Sequence, residues 1–484
     1  MSVVKNFLYN TIYQVFIIVL PIITVPYISR VLGANGVGEY SYTSTYAQYF
    51  ILLGTIGISL YGNRQIAYTK KNEEKMSKEF CNIYILQVIT ETISFLIYII
   101  VFVLINNNNK LLYLVQSILI LGKIFDISWF FIGYEDMKSV VLRNSIVKIC
   151  GVILIFIFVK NESDLILYAL IIGLSTLIGQ LIMWVGIRGK ISFYKPNYRE
   201  VIGHIRPSLS LFISQLAIQV YILLDSTMLG LITDSTQVGL YANSQKTIKM
   251  VLALVTSLGV VMLPRMSALY SEGNMKDFKK MIYKAFGFVN FMTFPMVLGL
   301  IAVSDDFSIW FYGTQFNGIQ ILLKIGSFII LAISWSNILG IQIMLPMRKE
   351  KEFTISVVIG AITNVIFNLI LISRLKAIGT TISSVVAEFS VTIVQLYFLR
   401  NLISIKEVLK TTYRPFIASL IMFIFINFIM CFIPFGIIYT FLEIIFGIII
   451  YILIMITFKD KFLYYSIDII KNKFVKSRRK NEEI

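Results

Sequence analysis

The chemistry available to this sequence lies in ionisable side chains set inside long apolar runs. Lys123, Lys148, Lys246, Lys249, Lys284 and Lys324 stand within such runs, as do Glu39, Glu91, Asp126, Asp225, Glu388 and Glu443. A charge at the centre of a membrane helix costs roughly 2.5–3.5 kcal/mol on insertion scales, so each of these needs a partner, water or a task. A lysine so placed can pair with a phosphate oxygen, and a desolvated carboxylate readily takes up a proton. Signatures of bond-making chemistry are missing: there is no Asp-x-Asp sugar-nucleotide site, no Gly-rich phosphate loop and no nucleophile motif. The single histidine, His204, reads as a loop residue.

Helical spacing sorts the polar residues into faces. Tyr84, Gln87, Glu91, Ser94 and Tyr98 form one stripe, and Thr381, Ser384, Glu388, Thr392 and Gln395 form another. Gln116, Lys123 and Asp126 share a side, as do Ser214, Tyr221 and Asp225. Glu39, Tyr42, Thr43, Tyr46 and Tyr49 follow one another along a further helix. Lys246 and Lys249 stand one turn below Tyr241 and Ser244 with no acid near them in their own helix. Stripes of this kind cannot all face lipid, and together they predict a polar, hydrated interior. Simpler explanations compete at several positions. Lys123 and Asp126, at i and i+3, can neutralise each other. Asn364 and Asn368 suit interhelical hydrogen bonding. Lys148, Lys284 and Lys324 can snorkel to an interface. Arg30 and Glu39 lie where loop topology alone would put charge.

The elements that must position these residues are membrane helices. The chain has 484 residues, mean hydropathy +0.81 and only 14% charged residues, against about 25% in soluble domains. Apolar segments long enough to span a bilayer lie near 9–29, 38–62, 81–105, 111–133, 140–159, 164–187, 207–232, 237–263, 282–304, 320–345, 354–373, 377–399, 414–433 and 437–458, fourteen in all. The first lacks a small-residue cleavage site and reads as a retained span. The net charge of +17 could suggest nucleic acid, but its distribution argues for topology. With the N-terminus inside, the outer loops hold only Arg30, Lys110, Lys160, Arg374 and Lys376, and the inner loops and the tail 459–484 hold the other loop cations. Both termini are therefore expected in the cytoplasm. Cys81, Cys150 and Cys431 are widely separated, which argues against disulfides and metal sites.

The stretch IYQVFIIVLPIITVPYISRVLGANGVGEY, residues 12–40, stands out. Pro21 and Pro26 predict kinks in an apolar helix. The glycines after Arg30 predict a sharp turn, with a second helix starting at Gly38. An echo appears in LLDSTMLGLITDSTQVGLY, residues 223–241, where Leu229-Gly230 repeats Leu32-Gly33 and Gly239-x-Tyr241 repeats Gly38-x-Tyr40. The pattern suggests an internal duplication of the kind found in transporters.

This opening helix, together with FDISWFFIGYEDMKSVVLRN and LPMRKEKEFTISVVIGAITNVIFNLIL, resembles the Wzx-type polysaccharide flippases of the multidrug/oligosaccharidyl-lipid/polysaccharide exporter (MOP) superfamily. The resemblance implies an all-α V-shaped protein with six-helix lobes at 1–190 and 205–400, two appended helices at 413–458 and a basic cytoplasmic tail at 459–484. It implies movement of an undecaprenyl-diphosphate-linked oligosaccharide to the outer leaflet of a bacterial plasma membrane. The expected phosphate ligands are then Lys246, Lys249 and Lys123, with Arg30 near the outer mouth. The expected sugar-facing lining is Tyr42, Tyr46, Gln87, Tyr221 and Gln395. Asp225, Glu91, Asp126 and Glu388 are the expected carriers of a coupling H⁺ or Na⁺. No other cofactor is implied, and the expected partners are the lipid-linked substrate, membrane lipids and the polysaccharide polymerase. A lipid II flippase and a multidrug extruder are the alternatives within the class. A membrane polymerase or acyltransferase is disfavoured by the short outer loops and by the lone histidine in a loop.

Overall fold

A computed structural model describes residues 3–106, 109–430, 436–460 and 462–463, and these are helical almost throughout. Most of the tail 459–484, and Cys431, lie outside the described residues. The chain forms two compact units, residues 1–242 and 243–484.

The first unit holds α1 (Val3–Thr55), α2 (Ile58–Thr69), α3 (Glu73–Tyr98), α4 (Lys110–Ile124), α5 (Ser128–Gly133), α6 (Met137–Phe158), α7 (Leu165–Val185), α8 (Tyr198–Gly203), α9 (Ile205–Ile232) and the start of α10 (Ser235–Ser271). The second holds the rest of α10, then α11 (Met275–Tyr312), α12 (Ile319–Gly326), α13 (Phe328–Ser336), α14 (Glu350–Phe398), α15 (Ile405–Met430) and α16 (Ile437–Thr457). Two π-helical stretches, Ile99–Ile105 and Asn337–Met344, extend α3 and α13. Among the described residues, nine helices are long and apolar enough to cross a membrane. Outward-facing Ile and Phe, such as Ile438, Phe441, Ile449 and Leu453 on α16, suit a hydrocarbon solvent.

Several expected breaks move. Neither Pro21 nor Pro26 interrupts α1, whose one non-helical residue is Gly33, at φ 66° and ψ 178°. Only glycine takes that region freely. Helix resumes at once, so the second limb starts before Gly38 rather than at it. The segment 38–62 is interrupted at Ile56 and Gly57, and 111–133 is interrupted between α4 and α5. The boundary expected at 374–376 is present as a single backbone reversal at Lys376, φ 49° and ψ −129°, inside α14.

The core of the first unit is aromatic: Phe80, Trp129, Phe130 and Phe131 are fully enclosed with Tyr61 and Met183. Small residues bring the helices this close. A methyl built on Gly62 would press into the Trp129 ring, and one on Gly133 would sit 2.9 Å from Ile66 Cβ. Membrane helices gain by such close approach because lipid offers no hydrophobic drive between them. In the second unit α11, α15 and α16 pack through Met422, Ile426, Tyr451 and Met455.

Candidate functional site

In the first unit, the polar stripe of α3 turns into the protein. Gln87, Glu91, Ser94 and Tyr98 are all buried. Glu91 Oε1 accepts from Thr55 Oγ1 at 2.7 Å. Its Oε2 is buried against Gly54 and has no hydrogen-bond partner among the described residues. Ser94 donates to the Phe50 carbonyl at 2.6 Å, and Tyr98 to the Tyr113 carbonyl at 3.1 Å.

Gln87 spans the break after α4. Its amide nitrogen donates to the carbonyls of Lys123 and Asp126 at 2.8 and 2.9 Å, and its oxygen accepts from Trp129 Nε1 at 2.9 Å. Carbonyls at an open helix end need such donors, above all inside a membrane. Lys123 Nζ pairs with Asp126 Oδ2 at 2.6 Å. The other oxygen of Asp126 accepts from the backbone amide of Ser128, the first residue of α5, at 2.9 Å. Thus Lys123, Asp126 and Gln87 meet at one helix break, with Glu91 one turn further along α3.

Tyr42 and Tyr46 share a hydroxyl contact of 2.8 Å, and their rings meet edge to face. Tyr46 also contacts Phe102 and Tyr113. Tyr241 donates to Asp225 Oδ2 at 2.6 Å. Arg30 is exposed, and its Nη1 reaches the Pro26 carbonyl at 3.3 Å. The side chain of Tyr221 lies outside the described residues.

The two Gly-x-Tyr copies cross each other. A methyl added to Gly38 would overlap the Ser235 carbonyl oxygen and lie 3.0 Å from the Gly239 nitrogen. One added to Gly239 would overlap the Ala34 carbonyl and lie 3.0 Å from the Gly38 nitrogen. Gly230 packs on the Tyr42 ring. Both motif glycines are thus spent on backbone-to-backbone contact.

In the second unit, Lys246 and Lys249 are exposed on α10. Lys246 Nζ donates to Asn243 Oδ1 at 3.3 Å. Asn243 is held in turn by Tyr312, whose hydroxyl donates to its backbone carbonyl at 3.1 Å and also contacts Thr247 Oγ1. Gln395 is buried and donates to Ser356 Oγ at 3.2 Å, tying the two limbs of α14 together. Glu388 is half-buried on the second limb. Asn368 donates to Asn364 at 3.1 Å. Lys324 pairs with Asp305 at 2.7 Å.

His204 is not a simple loop residue. It is buried, its Nδ1 lies 2.7 Å from the Tyr61 hydroxyl, and its Nε2 lies 3.9 Å from Glu79. Burial holds its pKa below the ordinary 6.5, although Glu79 and Glu200 pull it upward. A hydrogen bond from Lys78 keeps the Glu200 carboxyl below its usual range. No local pattern signals this cluster, because Tyr61, Glu79 and His204 meet only through packing. The contacts of Thr55 and Gly54 with Glu91, and of Trp129 with Gln87, likewise arise only through packing. Among the described residues no group of His, Cys, Asp and Glu could hold a metal ion.

A profile of the family described as polysaccharide biosynthesis protein matches residues 3–270. The chain belongs to this family. The chain is 25% identical over 415 residues to an Escherichia coli K12 protein named for O-antigen transport, covering 83% of this chain and 97% of that one. Its fold matches that of the lipid II flippase MurJ in an inward closed conformation, with TM-score 0.77, 16% identity and coverage of 94% of this chain and 99% of that chain. It also matches an inward-facing multidrug resistance MATE family transporter of the MOP superfamily, with TM-score 0.64 and 14% identity over 83% of this chain and 99% of that one. The fold is thus the one these two solved proteins share.

Proposed function

We propose that this protein flips a lipid-linked oligosaccharide, carried on undecaprenyl diphosphate, from the inner to the outer leaflet for surface polysaccharide assembly. The observation that carries this reading is the family match, joined to an alignment that runs nearly the full length of a protein named for O-antigen transport. The physics of the substrate agrees with it. The polyprenyl tail can stay in lipid, whereas the diphosphate and sugars need a polar path.

In this reading the chain spans the membrane fourteen times with both ends in the cytoplasm, as lobes 1–190 and 205–400 with 413–458 appended. Lys246 and Lys249 bind the diphosphate, because they are exposed cations on one face of α10, with the Lys246 ammonium held by the uncharged amide of Asn243. Arg30 assists them, whereas the expected Lys123 is held by Asp126 at 2.6 Å. Tyr42 and Tyr46 face sugar, whereas the expected Gln87 and Gln395 are buried and bonded within the protein. An H⁺ or Na⁺ gradient acts through Asp225, Glu91 or Glu388, Asp126 being held by Lys123. The polymerase acts on the flipped unit. A second reading, lipid II transport, is favoured by the extent of the MurJ match.

Deletion of the gene is expected to accumulate an undecaprenyl-diphosphate-linked repeat unit on the inner leaflet, and expression of the intact chain is expected to restore surface polysaccharide. Rescue of a peptidoglycan flippase depletion, with no effect on surface polysaccharide, would select the second reading. Transport in proteoliposomes that is indifferent to both ion gradients would remove the coupling.

A further inference from the structure

Three helix ends meet at one end of the second unit: the start of α11, the start of α15 and the turn that follows α16. Between them lies an open cavity of about 650 Å³ lined by Lys280, Lys284, Lys410 and Arg414 and, among the described residues, by two acids, Glu407 and Asp460. Both acids are engaged. Glu407 binds Lys410 at 2.6 Å. Asp460 Oδ1 accepts from the backbone amides of Phe462 and Leu463 at 2.9 and 3.2 Å. Arg414 is aimed by two contacts: its Nε donates to the Tyr413 hydroxyl at 2.8 Å and its Nη1 to the Lys459 carbonyl at 3.2 Å. Gly287 leaves its side of the cavity clear, since a methyl there would meet nothing within 4 Å.

An apolar groove of about 550 Å³ opens further along α11, α15 and α16, between Phe291 and Val303 on α11 and beside Met422 and Ile448, with Val251 and Leu254 of α10 also lining it. Phe462 links the two spaces: it lines the basic cavity, and its ring centroid is 5.5 Å from that of Phe291. A basic cup that adjoins an apolar groove, at the ends of membrane helices, has the two-part chemistry of a charged lipid.

We propose that this cup holds the phosphate of an anionic phospholipid of the inner leaflet, with an acyl chain in the groove. The distribution of cations along the chain assigns this end of α11 and α15 to the cytoplasmic side, where anionic lipid gathers. The chain's own tail is a poor occupant, because Lys471, Lys473, Lys476, Arg478, Arg479 and Lys480 would be repelled. A soluble phosphate compound would leave the groove unused. The bound lipid would clamp α15 and α16 onto α11. The inference does not depend on what is transported.

The test uses the purified full chain in detergent, with native mass spectrometry and thermal unfolding in added dioleoyl phosphatidylglycerol or dioleoyl phosphatidylcholine. The wild type is expected to retain phosphatidylglycerol and gain Tm from it, with little response to phosphatidylcholine. Removing three cations, as K280A/K284A/R414Q, is expected to weaken phosphatidylglycerol binding about a hundredfold. Gly287→Phe keeps every charge and fills the cavity, so it is also expected to lose the lipid. Equal binding of the two lipids overturns the proposal, as does wild-type retention of phosphatidylglycerol by either variant. Undecaprenyl diphosphate displacing phosphatidylglycerol at a tenth of its concentration would assign the cup to the carrier lipid instead. Equal competition by inorganic phosphate would remove the role of the groove.

Discussion

The charged groups of the first unit and those along α10 in the second are arranged differently. Around the break between α4 and α5, Lys123, Asp126 and Gln87 use their polar atoms to hold one another and the open helix ends. On α10, Lys246 and Lys249 stand exposed, and Lys246 donates to the uncharged amide of Asn243. The first arrangement stabilises a bundle, and the second is the one we propose for an incoming anion. Membrane-embedded charge therefore does not by itself mark a ligand site, and the partner each charge keeps decides between the two roles.

The sharpest way to break this comparison is to remove the lysines of α10. The double variant K246A/K249A is expected to abolish surface polysaccharide while inserting and unfolding like the wild type. Normal polysaccharide from that variant would end the assignment of phosphate binding to α10.

Lys123 should behave in the opposite way. Lys123→Met alone leaves Asp126 buried and unpaired and is expected to cost about 3–5 kcal/mol of stability. K123M/D126N is expected to recover most of that loss. Thermal unfolding of the four members of this cycle measures the coupling. A single variant as stable as the wild type but inactive in transport would move Lys123 into the second class.

Gly38→Ala probes the crossing of the duplicated motifs. The added methyl overlaps the Ser235 carbonyl, which is backbone and cannot swing aside, so a loss of about 1–3 kcal/mol is expected. Gly287→Ala, where the methyl meets open space, is the control and should not lower Tm.

The smallest effect is at His204. Its pKa is held below the ordinary 6.5 in the folded protein, so the unfolded chain takes up its proton first. The stability this group contributes is complete above pH 6.5 and is lost as the pH falls through the folded value. Tm measured from pH 7.5 to about 5 should decline, and His204→Gln should decline less. An equal slope in both proteins would remove the histidine from the account.

Much of this protein could be read from its residues. Apolar runs of about 20 residues exposed the helices, and the reversal at Lys376 falls where Arg374 and Lys376 interrupt two such runs. The duplicated Leu-Gly and Gly-x-Tyr motifs were visible as strings. Their meaning was not, because only coordinates show Gly38 and Gly239 in backbone contact. The stripe of Gln87 and Glu91 was legible as a polar face, but periodicity says only that residues share a side and not what that side touches. Gln87 turned out to satisfy helix ends, a need created by a break that hydropathy averages over.

The sequence alone determined that the chain crosses a membrane repeatedly and where its cations accumulate, since length, hydropathy and charge are local properties. The tertiary structure decided which charges are partnered and which are presented, the crossing at Gly38 and Gly239, and the enclosure of His204. Those depend on residues far apart in the chain coming within hydrogen-bonding distance, which no local pattern encodes.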